Sequence, residues 1–190
     1  MNTNTQPQHA VGQGRPQFLK LISNSTSTTL GIVLAAVVLL VPCANAATNL
    51  VTADRNFILA AAQGGILEVK LGALAAQNAQ RDDVKAFGRM MVSDHMAINA
   101  NLKVLAMFEG VTLPESLDAK HQAVMDTMTA LTGSQFDDAY IKCMIKVHTK
   151  DARAFKAESA ATNDGKIKTF ADKSIPVVEE HLKQVTAMKK

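Results

Sequence analysis

From Thr52 to Met188 apolar residues recur at intervals of three and four, the period of amphipathic helices. Phe57, Ala61, Gly64, Leu67, Leu71 and Ala75 mark one face of a helix running from about Thr52 to about Asn78. Its small residues Gly64, Gly65, Gly72, Ala75 and Ala76 predict a close helix approach, since glycine inside a helix otherwise costs about 1 kcal/mol relative to alanine. Gln80-Arg81-Asp82 breaks the pattern. Val84, Phe87, Met91, Ile98, Leu102 and Leu105 then form the stripe of a second helix to Phe108, with Gly110 as its stop. Thr112-Leu113-Pro114-Glu115 has the form of a capping box and predicts a shorter helix to about Leu131. Ser134 as a cap, with Asp137 three residues later, predicts the start of a third long helix bearing Phe136, Tyr140, Met144, Val147 and Phe155. Asn163-Asp164-Gly165 separates it from a last helix with Ile167, Phe170, Val177, Val178, Val185 and Met188, in which Pro176 predicts a kink. Nothing after residue 50 alternates like a strand. The predicted fold is an all-α four-helix bundle with a helical connection between the second and third long helices.

Each long helix puts one ionisable group into its apolar face: Glu68, His95, His148 and His181. Glu68 and His95 lie about 12 and 14 residues from the first hairpin turn, a mismatch of roughly 3 Å along the helix axes. His148 and His181 lie about 15 and 17 residues from the turn at Asn163-Asp164, again a mismatch of roughly 3 Å. Docking the two hairpins therefore brings all four groups to one level. Neutral imidazoles and a carboxylate at one level predict a transition-metal site, for copper, zinc or iron. The other reading is a buried polar layer, with the rings hydrogen-bonded to Glu68, Tyr140 or backbone; without a metal, a buried Glu68 charge needs such donors.

Met91 and Met144 each precede a histidine by one turn and are candidate soft ligands that would favour copper, although methionine is also a common core filler. Asp94, beside His95, and Asp151, one turn after His148, are candidates for orienting imidazoles, or else ordinary surface charges. His121, next to Lys120, reads as solvated. Cys143 reads as a small buried apolar residue.

The leader has its own pattern. A polar segment containing Arg15 and Lys20 precedes an uninterrupted apolar run from Leu30 to Val41, shorter than the roughly 20 residues of a membrane span. Ala44-Asn45-Ala46 follows with a small-x-small cleavage pattern. These features predict a signal peptide over residues 1–46, cut after Ala46, and an exported bundle domain over residues 47–190, in the periplasm or cell envelope. An uncleaved leader anchoring the protein to the membrane is the alternative. A lipoprotein reading through Cys43 is disfavoured by Pro42.

Aromatic content of 4% with no Trp suits a bundle rich in Ala and Met. Removing Arg15 and Lys20 from the formal charge of +3 leaves +1, with no basic stripe, which argues against nucleic acid as a partner. One cysteine, Cys143, remains beyond the leader, so no internal disulfide framework is available. Protein partners are not indicated.

Several motifs carry a family likeness. Phe57-Ile58-Leu59-Ala60-Ala61-Ala62-Gln63-Gly64-Gly65 leading to Glu68 and Leu71-Gly72 resembles the opening of domain of unknown function 4142. So do Met91-Val92-Ser93-Asp94-His95, Phe136-Asp137-Asp138-Ala139-Tyr140 with Met144 and His148, and Ile175-Pro176 with His181-Leu182. The resemblance covers most of residues 52–188 and implies an exported bacterial protein with a ferritin-like bundle, without implying an activity. The Glu-x-x-His pattern of ferritin-like di-iron sites is absent, because Val92 and Val178 stand three residues before His95 and His181.

Three functions follow from these readings. The first is a non-catalytic exported bundle that binds a transition metal. The second is a structural or interaction module of the envelope whose polar layer fixes helix register. The third is a metal-dependent oxidoreductase. No Ser/His/Asp order, phosphate loop or CxxC motif supports catalysis.

Overall fold

The computed structural model describes residues 50–189. The apolar run, Cys43 and the Ala44-Asn45-Ala46 motif lie outside them. The described residues form five helices and no strand: α1 Thr52–Asn78, α2 Asp82–Phe108, α3 Ala119–Thr129, α4 Gly133–Ala161 and α5 Gly165–Ala187. α1 and α2 pair as one hairpin and α4 and α5 as the other, with α1 against α4 and α2 against α5.

Hydrogen bonds at the two ends fix the direction of each helix. Asp137, near the start of α4, accepts from the backbone N–H of Gln80 and Arg81 in the α1–α2 turn, at 3.0 and 2.8 Å. The Arg81 guanidinium also reaches the Met188 carbonyl just after α5. At the opposite end Thr162 Oγ1, between α4 and α5, donates to Asp54 Oδ2 at the start of α1. Lys166 there pairs with Glu109 at the end of α2. The order is therefore up, down, down, up, and one long crossover joins the hairpins, a connection shared with ferritin-like bundles.

That crossover corrects two sequence expectations. No helix opens at Thr112; the chain stays irregular to Asp118, which caps α3 by accepting from the His121 N–H at 2.8 Å. Residues 112–118 are instead held along α1, where Gln63 bonds the Ser116 carbonyl and the Asp118 N–H. At α4 the N-cap is Thr132, without a side-chain cap bond, and not Ser134. Asp137 is occupied by the α1–α2 turn. Other boundaries follow the pattern: Gly110 stops α2 at φ 63°, and Asp164 caps α5 through Lys166 N and Ile167 N. α5 continues as one helix through Pro176.

The close approach of α1 and α2 occurs where Gly72 faces Gly88. A Cβ at Gly88 would stand 2.6 Å from the Gly72 carbonyl oxygen, so a side chain there would force the helices apart. By length and apolarity α1 could cross a membrane; here it is a core helix, burying Ile58, Leu67, Leu71 and Ala75.

The core is split into two apolar clusters. One, near the α1–α2 turn, includes Leu71, Val84, Phe87, Met91, Phe136, Tyr140, Met144 and Val185. The other, toward the α4–α5 turn, includes Phe57, Ile58, Leu102, Leu105, Phe155, Ile167 and Phe170. Between them, on all four long helices, lies the polar layer.

Candidate metal centre

Glu68, His95, His148 and His181 are 3%, 3%, 0% and 1% exposed, so each is withdrawn from water and must find its partners inside. The rings converge. Their centroids are 5.7 Å apart for His95 and His148, 5.3 Å for His95 and His181, and 5.4 Å for His148 and His181.

Two hydrogen bonds and one close contact mark the outer nitrogen of each ring. His148 Nδ1 donates to the Met144 carbonyl one turn back, at 2.9 Å; a carbonyl only accepts, so Nε2 keeps its lone pair. His95 Nδ1 stands 3.0 Å from Glu68 Oε2, a close contact that turns Nε2 toward the other rings. His181 Nε2 donates to Asp94 Oδ2 at 2.9 Å. What remains is one buried nitrogen per ring with no hydrogen-bond partner: His95 Nε2, His148 Nε2 and His181 Nδ1. The three histidines can each offer a ring nitrogen such that all lie within 4.8 Å of one another. A triangle of that edge has its centre about 2.8 Å from each corner, against bonds of about 2.0–2.1 Å in metal–imidazole sites, so closing on an ion needs shifts below about 1 Å.

Glu68 lies beside this triad and not within the set of mutually close atoms. Oε2 stands 3.0 Å from His95 Nδ1; Oε1 has no hydrogen-bond partner and stands 3.7 Å from His148 Nε2, and the carboxyl also interacts with Asp151. Asp94 adjoins His95 in sequence but serves His181 across the α2–α5 interface. Asp151 faces Glu68 from α4. Met91 and Met144 pack in the apolar cluster on the turn side of the layer. The Tyr140 hydroxyl, a candidate partner for the layer, is buried with none. His121 is bound to the Asp118 that caps its helix. Cys143 is half-buried and unpaired, and burial raises its thiol pKa.

Burial dominates the electrostatics because it penalises every charged form. It lowers His95 and His148 to about 4, and lowers His181 less completely because Asp94 favours its cation. It raises Glu68 to about 7, against the opposing pull of His148. Asp151 is likewise raised to about 7 by burial and by the neighbouring Glu68 charge. At neutral pH the three rings are thus neutral, the form in which imidazole binds metals.

A four-helix bundle with three neutral imidazoles facing one another in its core defines the class of protein. The chain belongs to the family described as domain of unknown function (DUF4142), whose profile matches residues 40–188. No curated protein matches it. Similar solved structures include a DUF305 fragment from Deinococcus radiodurans, at 12% identity and a TM-score of 0.64, covering 73% of this chain and 95% of that one. CopM in its Cu(I)-bound form is also similar, at 18% identity and a TM-score of 0.60, covering 71% and 94%. CopM in its Ag-bound form gives 18%, 0.59, 71% and 93%. At these identities the likeness is one of fold.

Proposed function

We propose that this protein binds one transition-metal ion, copper foremost, among His95, His148 and His181, with Glu68 beside them. The observation that supports this most is the trio of buried ring nitrogens without partners. A layer serving only helix register would gain by pairing them, because an unsatisfied buried acceptor costs about 1–3 kcal/mol. Similarity to CopM, known with copper and silver bound, favours copper over zinc or iron. Met91 and Met144 remain candidate soft ligands only if the layer shifts toward the turn on binding.

The role we infer is binding and handling of the ion, not turnover of an organic substrate. The cavity that touches Glu68 and His95 holds about 70 Å³, room for about two waters. We also propose that the bundle, residues 47–190, acts outside the cytoplasmic membrane after removal of residues 1–46. N-terminal sequencing of the exported protein should then begin at Ala47; a leader retained in the membrane fraction means an anchor instead.

Thermal melts test the metal reading. Copper should raise the Tm of the wild type by mass action, a chelator should remove the gain, and His148→Ala should abolish the response. If the layer is only hydrogen-bonded, His148→Ala still destabilises by roughly 1–3 kcal/mol while metal and chelator change nothing. Identical wild-type melts with copper, zinc, iron and chelator end the metal reading.

A further inference from the structure

Two hollows approach the polar layer. The larger, about 610 Å³ between α2 and α5, is walled by Ile98, Leu105, Phe108, Phe170 and Val177 and touches Asp94. Asp94 holds the outer nitrogen of His181, so this groove meets the back of the ring, and its other charged groups, Lys166 and Lys173, oppose a cation. The smaller is the 70 Å³ cavity, with α1 and α4 at its mouth, lined by Gly64, Glu68, His95, Asn99, Lys150 and Asp151 among others. Its rim residues Ala60, Lys150 and Ala154 are exposed, while Glu68 and His95 at its inner end are buried.

The inner wall of this cavity offers buried oxygen acceptors that lack a hydrogen-bond partner. Glu68 Oε1 and Asn99 Oδ1 are both buried without a hydrogen-bond partner. Gly65 is required by Asn99, because a Cβ there would fall on the amide oxygen. Gly64 is not held by any such contact: a Cβ there meets only Glu68 Oε2, at 4.0 Å. Glycine in a helix without a packing reason costs stability, so the space it leaves has another use.

Resting on the metal reading above, we propose that this cavity is the port through which a metal cation enters and leaves, its water ligands replaced in turn by the oxygens of Asp151, Asn99 and Glu68 before the three imidazoles take it. Carboxylate and amide oxygens exchange with water on a hydrated ion more readily than three buried rings can, and they lead from the rim to the ligand nitrogens. Lys150 at the mouth opposes a cation, and its long stem lets the ammonium swing into solvent. The port is therefore charged with both signs, and each sign gives a separate test.

The chain has one tyrosine, Tyr140, and no tryptophan, so quenching of its fluorescence by added Cu(II) reads out arrival near the layer. In stopped-flow mixing of Cu(II) with the full bundle, Gly64→Leu should slow uptake and chelator-driven release together by tenfold or more, leaving the equilibrium affinity nearly unchanged. Asp151→Asn should slow uptake several-fold and Lys150→Gln should speed it, both effects shrinking as salt is raised. Asn101→Phe, in the wider groove, should leave the rates alone. Unaltered rates in Gly64→Leu with full quenching overturn the port, as does slowing by Asn101→Phe in its place. Should Gly64→Leu fail to fold, equal uptake by Asp151→Asn, Lys150→Gln and wild type overturns it. A wild type that Cu(II) does not quench and does not stabilise removes the metal centre itself, and the port with it.

Discussion

Asp94 and His181 meet across the α2–α5 interface, Oδ2 to Nε2 at 2.9 Å, and this one bond decides which nitrogen of His181 faces the other two rings. The His181 side chain is 2% exposed and that of Asp94 is 39% exposed, so the carboxylate keeps water on one side while it fixes a buried ring on the other. A carboxylate on the outer nitrogen sets the tautomer and raises the basicity of the inner one.

Asp94→Ala should therefore weaken copper binding by about 10–100-fold. The metal-free fold should lose no more than about 1–3 kcal/mol, the cost of leaving the buried Nε2 without its partner. Competition with a chromophoric chelator measures the first and a thermal melt of the metal-free protein the second. Affinity unchanged in Asp94→Ala would mean that His181 is not a ligand.

Acid should release the metal later than free imidazole chemistry suggests. Ordinary histidines protonate near pH 6.5, and from sequence alone binding is expected to weaken toward pH 5. Burial moves His95 and His148 to about 4, so these two ligands stay neutral at pH 5, and with His181 also lowered the affinity should persist further into acid than free imidazoles allow. The stability of the metal-free protein carries two opposed contributions. The depressed histidines stabilise the fold above the unfolded value near 6.5 and lose that contribution as pH falls through about 4. Glu68 and Asp151, raised to about 7, contribute fully below their unfolded values and lose that contribution as pH rises through about 7. Between about pH 4.5 and 6.5 the two nearly cancel, and the Tm should be flat there. Above that window it should fall, as both carboxyls ionise in the core. A Tm that drops steeply from pH 6.5 to 5 would show the histidines titrating without the carboxyls.

The helices and the level of the four inward groups were legible because both depend on periodicity and rise within single helices. Glu68, His95, His148 and His181 each break an otherwise apolar stripe, and distance from a turn placed them together. The pairing of those groups was not legible. Asp94 is next to His95 in the chain, yet adjacent helical residues point about 100° apart, so it reaches a ring on another helix. Which oxygen of Glu68 is used, and that Tyr140 stays unpaired, depend on side-chain rotation in the docked bundle. The same limit explains the ends. A capping pattern at Thr112 is local, but Gln63 on α1 holds residues 116 and 118 in place and the helix starts at their far side.

Asp137 was read as a helix-start residue and is instead the tie between hairpins. It is 1% exposed and accepts two backbone N–H groups of the α1–α2 turn. Asp137→Ala should cost about 1–3 kcal/mol by leaving those donors without a partner. Asp137→Asn should recover part of this through its remaining amide oxygen. Denaturant melts of the three proteins check the order; an alanine variant as stable as wild type would mean the turn finds water instead.

The last prediction sets two glycines of one hairpin against each other. Gly72 and Gly88 let the backbones of α1 and α2 touch, and a Cβ at Gly88 would lie 2.6 Å from the Gly72 carbonyl and 2.8 Å from the Ala76 nitrogen. Backbone cannot swing aside as a side chain can, so Gly88→Ala should part the helices and destabilise by about 1–3 kcal/mol despite the better helix propensity of alanine. Gly64 has no such neighbour, and Gly64→Ala should be neutral or stabilising by up to about 1 kcal/mol. Because Gly88 lies about two turns from His95 on α2, the separation should also loosen the ring triangle. Gly88→Ala should then lose copper affinity along with stability, while Gly64→Ala keeps both. Melts and chelator competition on the two variants decide it: equal stability would mean that the close approach is not needed, and a destabilised Gly88→Ala with full affinity would mean that the centre is held by its own hydrogen bonds alone.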